Sequence, residues 1–309
     1  MDKEDAARPQ PAPVKRPDLE LLHGAVDIHV HPGPDLYPRI QDHLELARSA
    51  QAAGFRALCL KCHNFPTAQL AVTTQKEVEG IDVFGSIVCN LHVGGVNPIA
   101  VEAALKYGAR QIFMPTVDST NHARLTGTIG QHGKGLMVKG GLSQYTMQHP
   151  RIDLLDSEGA ISAEMREVIQ LIADANVILN FGHISFAEIT AVAKAAKRQG
   201  AKKLVVDHPY FSKLSLAEQQ SLAENGIWIN YTAGELLPRW WRVSVGDFAG
   251  AIRQIGVERM ILSSDCGQLH NPPEVEGMRM TCQLLLEEEF SENDIRRMMH
   301  QNPAELIYP

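Results

Sequence analysis

Several things are scarce in these 309 residues, and each scarcity excludes something. Basic charge is short: 29 Lys and Arg stand against 36 Asp and Glu, for a net charge of −7. That argues against a nucleic-acid or anionic-membrane partner, because both need a basic face. No apolar run approaches the roughly 18 residues of a membrane span. The opening MDKEDAARPQPAPVKRPD lacks the apolar stretch of a secretory signal, and its prolines and charges suggest a flexible arm over residues 1–17. There are only five cysteines, Cys59, Cys62, Cys89, Cys266 and Cys282, odd in number and scattered. A reduced, cytoplasmic protein is the simplest expectation. Cys59 and Cys62 form a C-x-x-C with no second pair, which speaks against a structural zinc site. No Gly-x-Gly-x-x-Gly follows an apolar run, so a dinucleotide fold has no support.

What is present is a rhythm. Short apolar segments, Ala25–His31, Arg56–His63, Asp82–His92, Gln111–Asp118, Val177–His183, Lys203–His208, Ile227–Tyr231 and Met260–Asp265, read as eight strands. Amphipathic stretches between them read as helices: Gln41–Ala53, Thr67–Glu79, Asn97–Tyr107, Ser162–Asn176, Phe186–Arg198, Leu216–Glu224 and Val245–Ile255, with Pro273–Glu289 and Glu292–Tyr308 closing the chain. Strands alternating with helices imply a parallel sheet with right-handed crossovers. Eight units fit one (β/α)₈ TIM-type barrel over residues 18–309; an open doubly wound sheet is the alternative. The rhythm breaks after strand four, where residues 119–161 form a long connection with one strand-like piece at 136–139. A connection of that length is usually functional, and His122, His132, Lys139, Gly140-Gly141 and Tyr145 make it a candidate lid.

In such a barrel the chemistry sits at the C-terminal strand ends. The first strand, VDIHVH, ends in His29 and His31 before Pro32-Gly33-Pro34. Simple alternation sends Val26, Ile28 and Val30 to one face and Asp27, His29 and His31 to the other. On strand two it puts Ala57, Cys59, Lys61 and His63 inward. Strand five ends in His183, strand six in Asp207-His208 and strand eight in Ser263-Ser264-Asp265. Four imidazoles and a carboxylate at one end of different strands can form a cation site. Their nitrogen and oxygen donors suit Zn²⁺ best, and also Mn²⁺, Fe²⁺ or Co²⁺.

The series HVH, FGH, VDH and SSD, with NPAEL at 302–306, resembles the amidohydrolase superfamily of metal-dependent hydrolases over about residues 21–307. The resemblance implies that His29 and His31 bind the more buried metal with Asp265, and that His183 and His208 bind a second. It makes Asp265 the general base toward a metal-activated water. The chain departs from the two-metal pattern in one respect. Strand four, with Thr116 and Asp118, has no lysine or glutamate to bridge two ions. Lys61 is one substitute, as a carbamylated bridge, or it pairs with Asp27 or Asp265. Asp118 and Cys62 are other bridging candidates, and a single metal is a further alternative. His63, Asn64 and His92 lie near the same rim. Arg239, Trp240 and Arg242 of PRWWR, with Tyr210, are candidates to wall a pocket and clamp a substrate carboxylate. Met278, Met280, Met298 and Met299 read as core.

The function expected is hydrolysis of a small amide, cyclic amide or lactone by metal-activated water. A metal-dependent decarboxylase or isomerase is the alternative among enzymes, and a non-catalytic metal-binding barrel the alternative outside them. The partner expected is a small molecule, and a homo-oligomer is expected on general grounds.

Overall fold

The computed structural model describes residues 15–127, 149 and 151–309. Eight strands, β1 (Val26–Val30), β2 (Ala57–Leu60), β3 (Asp82–Val88), β4 (Ala109–Phe113), β5 (Ile178–Asn180), β6 (Leu204–Asp207), β7 (Trp228–Thr232) and β8 (Met260–Ser263), pair in parallel in chain order. The sheet comes round on itself just beyond β8. There the amide of Asp265 donates to the carbonyl of His29 at 2.9 Å and that of His31 to the carbonyl of Cys266 at 3.1 Å. With helices between the strands, this is the (β/α)₈ barrel expected.

Local chemistry makes the helices. Asp42, Ser185 and Ser215 each form a reciprocal capping box with a Glu three residues on, starting helices His43–Ala52, Phe186–Arg198 and Leu216–Glu224. Helix Ala163–Ala175 buries Met165, Val168, Ile169 and Ile172, one stripe at helical spacing. Fully burying such a side chain contributes roughly 1.5–3 kcal/mol.

The alternation expected along β1, with Val26, Ile28 and Val30 all outward, fails at Val26 and Ile28. Val26 and Ile28 pack with Ala57, Cys59, Ile178, Val205, Trp228 and Ile261 inside the barrel, over Leu306 and Ile307, whereas Val30 packs outside with Leu58 and Leu60. The register explains it: Asp27 pairs with Leu58 but Val30 with Leu60, so β1 carries one extra residue. This bulge resets the phase. Apolar Ile28 therefore faces the interior immediately before His29, and His29 and His31 remain inward.

Other elements are shorter than expected. β4 stops at Phe113, and Pro115, which has no N–H for a ladder, follows. β3 stops at Val88, ahead of a 3₁₀ turn at Leu91–Val93. The final helix is three pieces, Glu292–Arg296, a π-helical turn at Arg297–Gln301, and Asn302–Ile307; Pro303 gives the preceding turn no N–H. The strand-like piece at 136–139 and the candidates His132, Lys139, Gly140, Gly141 and Tyr145 lie outside the described residues. No helix among the described residues is long and apolar enough to cross a membrane.

Gly85 shows how tightly the shell sits on the barrel. A Cβ there would lie 2.4 Å from the Ala68 Cα at the start of helix Ala68–Glu77, whose Thr67 N–H donates to the Ser86 carbonyl at 2.9 Å. Gly85→Ala should lower the free energy of unfolding by about 1–3 kcal/mol, read from urea midpoints. An unchanged midpoint would show that the helix start gives way freely.

Candidate metal centre

The barrel seam assembles the site. Asp27, fully buried, accepts from the His29 amide at 3.0 Å and from the Ser264 amide at 3.2 and 3.1 Å, tying β1 to the chain beyond β8. Burial pushes its carboxyl up to about 6 against these bonds. Gly267 continues the seam at φ 114°, where a Cβ would lie 2.2 Å from the His31 carbonyl oxygen. Asp265 and His208 take left-handed φ values of 48° and 31°, uncommon for side-chain-bearing residues and often found at functional positions.

Three atoms then converge. His29 Nε2 and His31 Nε2 are 3.2 Å apart, and Asp265 Oδ1 lies 3.2 Å from the first and 3.1 Å from the second. Ligand bonds of about 2.0–2.1 Å in tetrahedral geometry place neighbouring donors about 3.3 Å apart. The triangle therefore has the dimensions of one face of such a site. His29, Asp207 and His208 form a second close group. The Asp207 carboxylate faces His29 Nδ1 at 2.9 Å, the arrangement that fixes a ligating imidazole with its Nε2 lone pair outward. Burial alone would raise the Asp207 carboxyl, but His29, His208 and Lys61 hold it well below the ordinary carboxylate range.

Lys61 lies fully buried with Nζ 2.8 Å from His29 Nε2 and over the Phe113 ring at 4.5 Å. Burial lowers its amine to about 8, against the pull of Asp207 and Asp265. It makes no hydrogen bond or ion pair with either of its expected partners, Asp27 and Asp265; it meets His29 instead. His31 is pushed well below its ordinary value by burial and by the Arg39 and Lys61 cations. Arg39 Nη2 lies 3.3 Å from His31 Nδ1 and is held by Asp35.

Across the mouth, His183 and His208 have ring centroids 4.9 Å apart. Burial takes His208 down to about 4. His183 Nδ1 meets His122 Nδ1 at 2.9 Å, and Phe211 packs against all three imidazoles. His63 stacks on His31 at 4.9 Å and pairs through Nδ1 with Thr116 Oγ1 at 2.8 Å. His31, Lys61, His63, His183, His208, Phe211, Trp240, Asp265 and Gln268 line one recess at the barrel mouth.

The structure thus brings together His29, His31, Lys61, His63, His183, His208, Trp240 and Asp265. Others stand elsewhere. Arg242 lies behind Phe211, its guanidinium 5.0 Å from that ring centroid. The Tyr210 hydroxyl accepts from that of Tyr231, and Arg239 does not line the recess. Asp118 accepts from the Leu91 amide and Arg151, and the Cys62 sulfur from the Asn64 amide; neither enters the metal-capable groups found among the described residues. Asn64 reaches His92 at 3.1 Å. Sequence reasoning missed the approach of Asp207 to His29 Nδ1, and missed Arg39, Phe211 and Gln268. Only Asp207 carried a signal, its place beside His208 at a strand end.

Glu235 organises one wall. Its buried carboxylate accepts from the amides of Tyr210, Phe211 and Thr232 at 2.9, 3.3 and 3.2 Å. Burial raises it from 4.5 to about 8, although the three amides oppose the shift. A carboxyl raised on folding binds more protons folded than unfolded, so its contribution to stability is full below pH 4.5 and lost as pH rises through about 8. Glu235→Gln should remove a decline on the order of a few kcal/mol across that window, measured by urea unfolding at successive pH values. Parallel pH profiles for the two proteins would refute this.

Against this geometry, a family model described as "Family of unknown function (DUF6282)" matches residues 24–230, a span that holds the four histidines and Lys61 but not Asp265. No curated protein matches the chain. Solved structures do. An amidohydrolase from Pseudomonas aeruginosa aligns at TM-score 0.60 and 12% identity, covering 95% of this chain and 98% of that one. The probable dipeptidase PvdM from Pseudomonas aeruginosa aligns at 0.61 and 12%, covering 92% and 95%. A 2,6-dihydroxybenzoate decarboxylase aligns at 0.55 and 12%, covering 93% and 100%. At such identity these likenesses concern the fold.

Proposed function

The chain belongs to the DUF6282 family, whose description names no activity, and from the geometry of its barrel mouth we propose that it is a metal-dependent hydrolase. The observation that carries this reading is the triangle of His29 Nε2, His31 Nε2 and Asp265 Oδ1, each side 3.1–3.2 Å, with His29 set by Asp207 from behind. These three residues would hold a divalent ion, Zn²⁺ by the chemistry of the donors. His183 and His208 would hold a second ion, with a carbamylated Lys61 as the bridge. When bound, such an ion polarises a carbonyl and lowers the pKa of water toward neutrality.

The chain's own groups do the rest. Asp265 takes the proton from the attacking water and passes it to the leaving group, general acid–base work of the kind worth 10²–10⁴-fold. Asp207 holds the His29 ring in one tautomer and orientation. His63, anchored by Thr116, and Trp240 and Gln268 at the wall of the recess, position a small substrate. An amide, cyclic amide or lactone fits this chemistry, and the names of two structural neighbours, an amidohydrolase and a probable dipeptidase, agree with it. The decarboxylase among the neighbours keeps loss of carbon dioxide as the second reading.

The test begins with elemental analysis of the purified protein and zinc or manganese titration, followed by a panel of amides, lactones and aromatic carboxylic acids. Asp265→Asn should lower turnover by about 10²–10⁴-fold with the fold intact by circular dichroism. Carbon dioxide release without water addition would replace the hydrolase by the second reading. Asp207→Asn should weaken metal affinity by about 10–100-fold, measured by competition with a chromogenic chelator. A protein that takes up neither metal would end the proposal.

A further inference from the structure

We propose that Arg39, locked by Asp35, is a positioning residue that holds His31 in the tautomer opposed to metal ligation and thereby weakens the metal affinity of the site. This rests on the metal reading above and concerns how that site is loaded.

A neutral imidazole has one N–H and one lone pair, and a guanidinium has donors only. Arg39 Nη2 lies 3.3 Å from His31 Nδ1, so the pair is favourable only when Nδ1 carries the lone pair. The proton is then on Nε2, the atom that looks at Asp265 Oδ1 over 3.1 Å and at His29 Nε2 over 3.2 Å. Both neighbours can receive it. Arg39 does not swing away easily, because Asp35 Oδ2 binds its Nε at 2.9 Å and its Nη2 at 2.6 Å, with both side chains almost wholly buried.

His29 provides the contrast within the same triangle. Behind its ring stands a carboxylate, Asp207, with Oδ2 2.9 Å from Nδ1, a neighbour that favours the proton on Nδ1 and the lone pair on Nε2. Behind His31 stands a cation that can accept nothing. An ion binding at His31 Nε2 must remove the proton there. That proton can settle on Nδ1 only if Arg39 is displaced; otherwise it leaves the ring as an imidazolate beside the guanidinium. Metal ligands ordinarily have an acceptor at this position, and losing one typically changes affinity 10–100-fold. Lys61 adds to the opposition on the other ring, with Nζ at 2.8 Å from the lone pair of His29 Nε2. Four close approaches thus favour one placement of protons in the absence of an ion: Lys61 toward His29, His29 toward Asp207, Arg39 toward His31, and His31 toward Asp265.

Two measurements test this on the full-length protein. Nitrogen-15 spectra of the metal-free protein, with His31 assigned by its loss in His31→Asn, should show His31 as the Nε2–H tautomer in wild type and as Nδ1–H in Arg39→Gln, whose amide oxygen can accept. Zinc titration against a chromogenic chelator should give 10–100-fold tighter binding in Arg39→Gln and near wild-type binding in Arg39→Lys, which still presents only donors. An Nδ1–H tautomer in metal-free wild type, or zinc affinity in Arg39→Gln equal to or weaker than wild type, overturns the proposal. The wild-type spectrum decides the tautomer even if a variant does not fold. If none of the three proteins binds zinc, the metal reading and the proposed effect on affinity fall together, while the spectrum still shows whether Arg39 sets the His31 tautomer.

Discussion

The structure depends on the seam where β1 meets the chain beyond β8. Backbone bonds from Asp265 to His29 and from His31 to Cys266 close the barrel, and the Asp27 carboxylate bridges the same two segments. The bonds that complete the fold are thus made by the residues that form the site, so the position of Asp265 relative to the two histidines is set by backbone geometry rather than by flexible side chains. Rigid placement on barrel strands is what precise polar constellations require.

A second constraint follows from burial. His29, His31, Lys61, Asp207 and Asp265 are all buried, and buried charges persist only where partners answer them. Lys61 stands near Asp207 and Asp265, and Arg39 is answered by Asp35. The surroundings push His31 and His208 below their ordinary values, and the cations are spread among three carboxylates. One further carboxylate, Glu235, works at a distance, since it grips the amides of Tyr210 and Phe211 and so keeps the Phe211 ring against His122, His183 and His208.

Much of the fold was legible because its signals are periodic. Eight apolar runs and their intervening helices follow from hydrophobic spacing and from caps such as Asp42, Ser185 and Ser215, which act locally. The ends of strands three and four were overread because the chain bends at Asn90 and Thr116 and Pro115 has no N–H to offer a ladder. The bulge in β1 was invisible, since it is a matter of register between two strands and Val26 and Ile28 are equally apolar on either face.

For the site, residue types and strand ends were enough to select His29, His31, His183, His208 and Asp265, because a parallel barrel sends the ends of its strands to one mouth. Sequence also marked Lys61 and His63 through alternation on a regular strand. What it left open was every relation between side chains: Asp207 behind His29, Arg39 behind His31, Lys61 against His29 rather than Asp27, Arg242 and Tyr210 standing behind the wall. Those pairings depend on distances of 2.8–3.3 Å between residues as much as 178 positions apart, Asp207 and His29. Only the closed barrel decides them, because local sequence specifies the element a residue sits on and not the neighbour that closure brings to it.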